Sequence, residues 1–413
     1  MPRNLTRREA IAGAATAFGA AAVAKVSAQE GPAASGPTVT VPADPTKLQG
    51  LPTSPLGARS PFVKPSRTPV GETVGSSLTP LQELTGPLTP SDLHFERHHA
   101  GVPVIDPAKH HLMIHGLVER PLSLSLDDLK RFPQVTRTYF IECSGNGRNA
   151  FRAPKPDMTA QKVAGLLSTT EWTGVPLATI FREVGASADA SWFLAEGGDA
   201  CRMTRSVPMA KAWDDALIAF AQNGEPLRPA QGYPMRLVLP GWEGNINVKW
   251  LRRLELGTQP WRTRWETSKY TDPLPGNKAR EFSFENDVKS IITSPSYPAT
   301  IRARGWHSVQ GLAWSGRGRV TKVEVSADGG ERWDVAELMG PALPKAAVRF
   351  QFMLEWTGGA HTLLSRATDE AGFVQPLRRE LIAARGLGTD YHFNQVVGWK
   401  LARDGVVTFH GET

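Results

Sequence analysis

The hydrophobic pattern of this chain changes partway along its 413 residues. Between residues 94 and 256, short extended stretches are mixed with short stretches of helical periodicity. From residue 290 to about residue 385, apolar and polar residues alternate in short runs separated by turn residues. Mixed elements followed by regular short strands predict an α+β domain and then an immunoglobulin-like β-sandwich.

Local features predict the main elements of the first region. Residues 111–115 have the composition of a strand, and Ser125 is a good N-cap for a short helix that Pro133 ends. Residues 175–184 predict a second helix, with Gly185 at its C-terminal end. The region therefore combines short helices with strands, as an α+β domain requires.

A β-hairpin and a set of sandwich strands follow. Asn223-Gly224 separates residues 216–222 from an extended run that reaches Leu239, which is a strong hairpin pattern. Asp328-Gly329-Gly330 provides a turn within the sandwich. The expected sandwich strands cover residues 311–314, 320–325, 333–338, 350–356 and 361–368.

The N-terminal 90 residues lack the pattern of a folded domain. Arg7 and Arg8 precede an apolar, Ala-rich run to Ala24 and a small-residue stop at Ser27-Ala28, which is typical of a cleavable twin-arginine export signal rather than an ordinary N-terminal helix. The run is too short and too rich in alanine for a membrane span. Residues 29–90 are rich in Pro, Gly, Ser and Thr and predict an extended arm. We therefore expect a periplasmic protein.

Composition and charge narrow the classes of function. A hydrophobic share of 40% and a charged share of 21% are typical of a globular protein. Removal of residues 1–28 takes away four basic residues and one acidic residue and lowers the formal charge from +7 to +4, which is too mild to predict nucleic-acid binding. The chain has two cysteines and no Cys-x-x-Cys-His sequence, so we expect no haem in it.

Cys143 is the most informative candidate for chemistry. A β-prone stretch, residues 135–141, runs directly into it, and small residues follow. This pattern predicts a strand that delivers the side chain into a Gly-containing turn, where a ligand can approach the backbone. A thiolate is a soft metal ligand, and Arg148 could stabilise its charge. Taken alone, such a cysteine is more often a buried structural thiol.

Six segments in a fixed order remove that ambiguity. They cover residues 95–99, 141–148, 195–199, 231–236, 240–251 and 268–270. The set resembles the sulfite oxidase family of molybdenum enzymes over about residues 90–385. Its most specific part is Gly241-x-x-Gly244-x-x-x-Val-Lys-Trp-Leu251. The resemblance implies a molybdenum–molybdopterin cofactor, an α+β molybdopterin domain and an immunoglobulin-like domain that forms a homodimer core.

Further segments are similar to one branch of that family, the sulfane (sulfite) dehydrogenases of bacterial thiosulfate oxidation. They cover residues 94–102, 259–261, 266–272 and 290–295. This similarity implies oxidation of a sulfane sulfur bound to a carrier protein, with electrons passed to a c-type cytochrome subunit. Oxidation of free sulfite to sulfate is the alternative, because sulfite presents the same sulfur chemistry to molybdenum.

The resemblance also implies roles for ten residues. Cys143 matches the thiolate that ligates molybdenum. The residues matching the substrate pocket are Arg97, Arg148 and Tyr270. The residues matching positions that hold the pterin and its phosphate are His99, Asp199, Gln231, Arg236, Asn247 and Lys249. Guanidinium groups suit a sulfur oxyanion, and Lys and Arg suit a phosphate.

The chain departs from the animal enzymes of the family near this pocket. Gln231 replaces a histidine, Ile246 replaces an arginine, and Asn247 replaces a small polar residue or a histidine. Residues 149–163 form a shorter stretch without the tryptophan expected at the pocket mouth. The substrate entrance is therefore expected to be wider, as a protein-tethered substrate needs.

These inferences divide the chain into six parts. They are an export signal (1–28), an arm (29–90), a molybdopterin-binding domain (91–260), a connector (261–289), a dimerisation domain (290–385) and a C-terminal tail (386–413). We assign Trp306, Trp314, Trp333 and Trp356 to the sandwich core and dimer interface. Cys201 is expected to be a buried thiol near the cofactor.

Two other classes of function compete with this interpretation. A cysteine hydrolase would use Cys143 with a histidine and an orienting Asn or Asp, but no matching signature accompanies Cys143. A non-catalytic binding protein on an immunoglobulin-like scaffold would leave the segments around Arg236 and Lys249 unexplained. The spacing of His111 and His115 suggests zinc, but a strand places both on one face without any metal.

Overall fold

The computed structural model describes residue 44, residue 47, residues 50–274 and residues 276–413. The predicted export signal and residues 29–43 of the predicted arm lie outside the described residues. The chain divides into one unit that ends at Arg59 and a second unit from Ser60 to Thr413. In the first unit, residues 50–59 are exposed. Both predicted domains belong to the second unit.

The first domain is built from short strands and short helices. Its strands are β1 (Thr68–Gly71), β2 (Gly75–Leu78), β3 (Glu96–His98), β4 (Leu112–Gly116), β5 (Leu122–Leu124), β6 (Val135–Glu142), β7 (Leu167–Pro176), β8 (Trp192–Gly197), β9 (Thr204–Pro208), β10 (Leu217–Gln222), β11 (Glu225–Pro226), β12 (Arg236–Val238), β13 (Leu251–Gly257), β14 (Asp272–Leu274) and β15 (Lys278–Arg280). Its helices are α1 (Leu126–Lys130), α2 (Arg148–Arg152), α3 (Ala160–Ala164), α4 (Leu177–Glu183), α5 (Met209–Asp214) and α6 (Arg264–Thr267).

Three sheets organise this domain. One has the order β1-β2-β3, the second has the order β11-β10-β7-β6 with β12 also on β10, and the third has the order β5-β4-β13-β8-β9. Apolar side chains such as Phe181, Phe193 and Leu254 fill the largest core cluster of this domain. The strands position several candidate site residues, since Arg97 lies on β3, Cys143 follows β6 and Arg236 begins β12.

The predicted elements of this domain are largely confirmed. Ser125 caps α1 and accepts a hydrogen bond from the Asp128 backbone N–H at 3.1 Å. Asn223 and Gly224 both have positive φ, 48° and 76°, as the two-residue hairpin between β10 and β11 requires. The predicted helix over residues 175–184 begins only at Leu177, because residues 175 and 176 still pair with β10.

The second domain is a β-sandwich. Its elements are β16 (Lys289–Ser294), β17 (Gly305–Trp314), β18 (Val320–Ser326), β19 (Asp334–Val335), β20 (Glu337–Leu338), β21 (Val348–Trp356), β22 (His361–Asp369), α7 (Arg378–Arg385), β23 (Gly398–Leu401) and β24 (Val407–His410). One sheet has the order β16-β17-β21-β20 and the other the order β19-β18-β22-β23-β24. Trp314, Trp356 and Trp399 are buried in the core cluster that contains the sandwich strands. The α+β domain followed by a sandwich is therefore confirmed.

One expectation needs correction. Residues 386–413 are not a tail, because β23 pairs with β22 and β24 pairs with β23 to extend the sandwich. The predicted arm is extended over β1 and β2, and β2 pairs with β3 so that Ser76 lies opposite Arg97. Trp306 is 65% exposed in the single chain, so its assignment to the dimer interface stays a prediction. In the described part of the chain, no helix is long and apolar enough to cross a membrane.

Candidate functional site

Two recesses meet at Cys143. The inner recess lies among β3, the Cys143 turn and two segments around Arg236 and Lys249. The outer recess, with a volume of about 760 Å³, lies beyond Cys143 and Arg148. The residues that line both are Arg97, His99, Cys143 and Tyr270. Nine of the ten predicted site residues line the inner recess, and the tenth, Arg148, lines the outer one.

Strand β6 delivers Cys143 into a tight turn, as its sequence predicts. The Cys143 N–H donates to the Leu166 carbonyl at 3.0 Å, and the Asn146 N–H donates back to the Cys143 carbonyl at 2.8 Å. Gly147, with φ 97°, then starts α2. Burial raises the pKa of the Cys143 thiol, which the Gly145 backbone and Arg97 only partly oppose. The thiolate therefore needs a further positive partner, such as a metal ion.

Arg236 lines the inner recess without an acidic partner among the described residues. Its Nη1 donates to the Gln231 carbonyl at 3.0 Å and its Nη2 to the Asn247 carbonyl at 3.0 Å. The guanidinium Nε is buried and has no hydrogen-bond partner. Burial lowers the pKa of Arg236 to about 9. A buried cation held only by carbonyl groups favours binding of an anion.

Lys249 is the second cation of the inner recess, and it is half-buried. Its Nζ donates to the Ala230 carbonyl at 3.0 Å and the Arg97 carbonyl at 3.2 Å, and lies 2.8 Å from His98 Nδ1. Burial lowers the pKa of Lys249 well below its ordinary value. Within the described ranges Lys249, like Arg236, is in no ion pair. The two cations together make a site that a phosphate group would neutralise.

His99 and Tyr270 form a hydrogen-bonded pair at the boundary between the recesses. His99 Nε2 lies 2.7 Å from the Tyr270 hydroxyl. Burial, followed by the charge of Arg97, lowers the pKa of His99 to about 4. Burial also raises the pKa of Tyr270. At neutral pH the imidazole is therefore uncharged, and the phenol keeps its proton and can donate a hydrogen bond.

Three further residues of the inner recess form hydrogen bonds with protein groups through their side chains. They are Asp199, Gln231 and Asn247. Asp199 accepts hydrogen bonds from the Cys201 thiol at 2.9 Å and the Met203 N–H at 3.3 Å. Gln231 donates to the Phe95 carbonyl at 2.8 Å. Asn247 accepts from the Leu239 N–H at 2.7 Å and donates to the Glu243 carbonyl at 3.0 Å. Gln231 and Asn247 therefore brace the backbone carbonyls that hold Arg236.

Arg97 and Arg148 approach the outer side of Cys143 from different elements. Arg97 lies on β3 and its Nη1 donates to the Gly75 carbonyl at 3.3 Å and to the His98 carbonyl. Arg148 begins α2, and its Nη2 and Nε donate to the Asp390 carbonyl at 2.7 and 3.2 Å. Both guanidinium groups are partly exposed to the recess, where an anionic substrate could reach them.

Several residues of the site were missed from the sequence. The Tyr391 hydroxyl accepts from the Tyr270 N–H at 3.3 Å, and the Arg148 guanidinium lies 5.6 Å from the Tyr391 ring. Arg205, fully buried, lies 5.4 Å from the Tyr270 ring and 3.6 Å from Glu243. Strand β9 has the sequence Thr-Arg-Ser-Val-Pro, and this mostly polar pattern did not indicate that Arg205 is buried. No sequence pattern indicated that Tyr391 belongs to the site, because it lies in the segment that we predicted as a tail.

The surroundings of Cys143 differ from a metal site made of protein ligands alone. Within residues 50–274 and 276–413, no group of three or more His, Cys, Asp or Glu side chains is arranged to hold a metal ion. A metal bound at Cys143 would need most of its ligands from a cofactor. The anion site at Arg236 and Lys249 lies in the same recess as Cys143.

Two protein families match this chain. The Oxidoreductase molybdopterin binding domain matches residues 99–265. The Mo-co oxidoreductase dimerisation domain matches residues 280–399. The first match contains Cys143, Arg236 and Lys249, and the second covers most of the β-sandwich.

Individual proteins show the same similarity. Sulfite oxidase of Gallus gallus is 32% identical over 70% of this chain and 68% of its own length. Mitochondrial sulfite oxidase of Rattus norvegicus is 32% identical over 70% of this chain, and nitrate reductase [NAD(P)H] of Hordeum vulgare is 31% identical over 73% of it. The chain spans only 57% and 38% of the lengths of these last two proteins.

A solved structure is similar over nearly its whole length. The crystal structure of the sulfane dehydrogenase SoxCD from Paracoccus pantotrophus matches with a TM-score of 0.84 and 41% sequence identity. The match covers 88% of this chain and 97% of the solved one.

Proposed function

Since the chain belongs to the sulfite oxidase family of molybdenum oxidoreductases, we propose that it oxidises sulfane sulfur bound to a carrier protein and passes the electrons to a c-type cytochrome. One observation carries the proposal. A single recess is lined by the thiol of Cys143 and by two cations, Arg236 and Lys249, that have no carboxylate partner among the described residues. Oxidation of free sulfite is the alternative.

The residues of the inner recess fit a molybdenum–molybdopterin cofactor. Cys143 would ligate the metal, Arg236 and Lys249 would oppose the phosphate, and Asp199 would accept hydrogen bonds from the amino groups of the pterin. The unpartnered Nε of Arg236 supports this fit, because it is a buried donor that awaits an acceptor. When bound, the cofactor supplies two-electron oxidation of sulfur, with the added oxygen derived from water.

The protein groups around the metal position would bind and orient the sulfur anion. Arg97 and Arg148 can donate to its oxygens through charge-assisted hydrogen bonds. Tyr270, kept protonated by burial, can donate a further hydrogen bond at the boundary of the two recesses. Burial of Tyr270 lowers the local dielectric constant around its hydroxyl and strengthens that hydrogen bond.

Loss of either arginine should weaken catalysis. Arg97→Gln and Arg148→Gln each remove a charge-assisted contact worth about 1.5–3 kcal/mol, so kcat/KM for sulfite should fall roughly tenfold to a hundredfold. Steady-state kinetics with cytochrome c as electron acceptor measures this effect. Arg228→Gln is the control, since its exposed side chain pairs with Glu225 at 2.9 Å. Unchanged kcat/KM in both variants would remove these arginines from the site.

The lining of the outer recess favours a substrate larger than sulfite. No Asp or Glu belongs to its described lining, whereas Lys162, Arg264 and Lys269 are exposed around it. Two apolar side chains of the β1–β2 hairpin, Val70 and Val74, also line it and are 52% and 62% exposed. A cationic recess with an exposed apolar edge suits an anionic sulfur group presented on a polypeptide segment.

The hairpin provides a test that separates the two substrates. Val70→Ser with Val74→Ser should lower kcat/KM for a sulfane-loaded carrier protein by about tenfold, since apolar contact area is lost. Turnover of free sulfite should stay within about twofold, because the contacts proposed for sulfite are polar ones to Arg97, Arg148 and Tyr270. Val104→Ser, at a fully exposed position, is the control. Equal effects on both substrates would favour the sulfite alternative.

The proposal includes a homodimer that is located in the periplasm. The match to a dimerisation domain over residues 280–399 supports a homodimer. Arg7, Arg8 and the apolar run that follows support export to the periplasm in a folded state. A cofactor inserted in the cytoplasm would suit that route, and a periplasmic cytochrome would be an accessible electron acceptor.

A further inference from the structure

The carboxylate that precedes Cys143 is buried and bound by three donors. Glu142 Oε1 accepts from Asn146 Nδ2 at 2.8 Å and from Lys289 Nζ at 3.0 Å. Glu142 Oε2 accepts from Trp314 Nε1 at 2.7 Å. Each of these side chains is more than nine-tenths buried. The Glu142 carboxylate is therefore satisfied entirely by protein groups.

Two of the three donors come from the β-sandwich. Lys289 begins β16 and Trp314 ends β17, and the two residues lie directly opposite each other in the antiparallel ladder. Cross-strand neighbours project to the same face of a sheet, so both side chains reach Glu142 together. The second domain thus presents a paired ammonium and indole N–H to the last residue of β6.

The same contacts extend into the turn that carries Cys143. Lys289 Nζ also donates to the Asn146 carbonyl at 3.0 Å. Asn146 Oδ1 accepts from the Leu166 N–H at 3.1 Å, and Leu166 in turn accepts from the Cys143 N–H. A side chain at Gly147 would lie 3.3 Å from Lys289 Nζ, and its φ of 97° favours glycine as well. Lys289 therefore holds the turn from the sandwich side, beside the His392 N–H that donates to the Ser144 carbonyl at 2.8 Å.

We propose that Lys289 and Trp314 are positioning residues, through which the β-sandwich fixes the turn that carries Cys143 and Arg148. Loss of Lys289 leaves the Glu142 carboxylate buried without its counter-charge and frees the Asn146 carbonyl. The turn would then sample other conformations, and the thiol and the guanidinium would move with it. The consequence for catalysis rests on the proposed function, whereas the ordering of the turn does not.

A second ion pair between the two domains provides a control, because its loss would weaken domain packing without affecting the Cys143 turn. Lys345 of the sandwich donates to Asp215 of the first domain at 2.6 Å and lies 3.7 Å from Asp214. It joins the same two domains but contacts no residue of the Cys143 turn. Lys345→Met therefore removes an interdomain ion pair without the proposed positioning contact.

The test is amide hydrogen exchange of the purified full-length chain over residues 143–148. Lys289→Met should speed exchange of these amides about tenfold or more, whereas Lys345→Met should leave it within about twofold. Trp314→Phe removes only the indole donor and should speed exchange about threefold or more; it also serves if Lys289→Met does not fold. Equal exchange in the Lys289 and Lys345 variants, or no change in Trp314→Phe, would overturn the proposal.

Sulfite turnover of the same proteins distinguishes failure of the positioning role from failure of the proposed function. Faster exchange with turnover reduced about tenfold in Lys289→Met, and turnover retained in Lys345→Met, is the result expected if Cys143 is the metal ligand. Faster exchange with unaltered turnover would support the positioning contact and count against the role of Cys143. Reduced turnover without faster exchange would overturn the positioning role alone.

Discussion

Replacement of Cys143 by serine should abolish sulfur oxidation while leaving the fold intact. The serine hydroxyl can occupy the turn, since the backbone contacts to Leu166 and Asn146 do not involve the thiol. A hydroxyl is a harder ligand and ionises far less readily than a thiol, so it cannot replace the thiolate at molybdenum. We expect kcat for sulfite to fall by about a thousandfold or more, measured by cytochrome c reduction.

The other cysteine provides the control for this variant. Cys201 lies close to the same site, and burial, followed by Asp199, raises the pKa of its thiol to about 12. It serves as a hydrogen-bond donor to Asp199 rather than as a thiolate. Cys201→Ser should therefore retain activity within about tenfold. Turnover close to wild type in Cys143→Ser would exclude Cys143 as the essential metal ligand.

Replacement of the two cations of the inner recess should prevent cofactor binding. Arg236→Gln combined with Lys249→Met removes both positive charges from the inner recess, and each charge-assisted contact to a phosphate is worth about 1.5–3 kcal/mol. We expect the purified variant to contain less than about a tenth of the wild-type molybdenum and pterin. Metal analysis and pterin fluorescence measure this loss, and sulfite turnover should fall with it.

The thermal stability of the double variant distinguishes an anion-binding role of Arg236 and Lys249 from a purely structural role. Arg236 is buried, Lys249 is half-buried, and neither has a carboxylate partner among the described residues, so their charges cost folding free energy when no anion is bound. The double variant should therefore unfold at a temperature no lower than that of the cofactor-free wild type. Lys211→Met is the control, since Lys211 is buried but pairs with Asp215 at 2.6 Å. It should lower stability and keep molybdenum, and full molybdenum in the double variant would refute the phosphate site.

The sequence predicted the parts of the fold that depend on local patterns. Alternating residues indicated the sandwich strands, and Asn223-Gly224 indicated a hairpin, because both follow from short-range backbone preferences. Strands β23 and β24 were missed because each has only four residues and follows an irregular stretch. Short strands of this kind are stabilised by their neighbours in the sheet rather than by their own composition.

The candidate site was predictable where a resemblance identified residues and unpredictable where it depends on long-range partners. The sequence placed Cys143 after a strand, and the structure agrees. It could not indicate that Arg148 donates to Asp390, 242 positions away, or that Trp314 donates to Glu142, 172 positions away. Such pairs arise when domains pack, and no local pattern in the chain records them.

The molybdenum and pterin content of the purified full-length chain tests the central claim most directly. The account predicts about one molybdenum and one pterin per chain, both held in the recess between Cys143 and Arg236. A cysteine hydrolase or a non-catalytic binding protein requires neither. A folded chain that contains no molybdenum after expression in cells that make molybdopterin, and that still performs its reaction, would contradict the account.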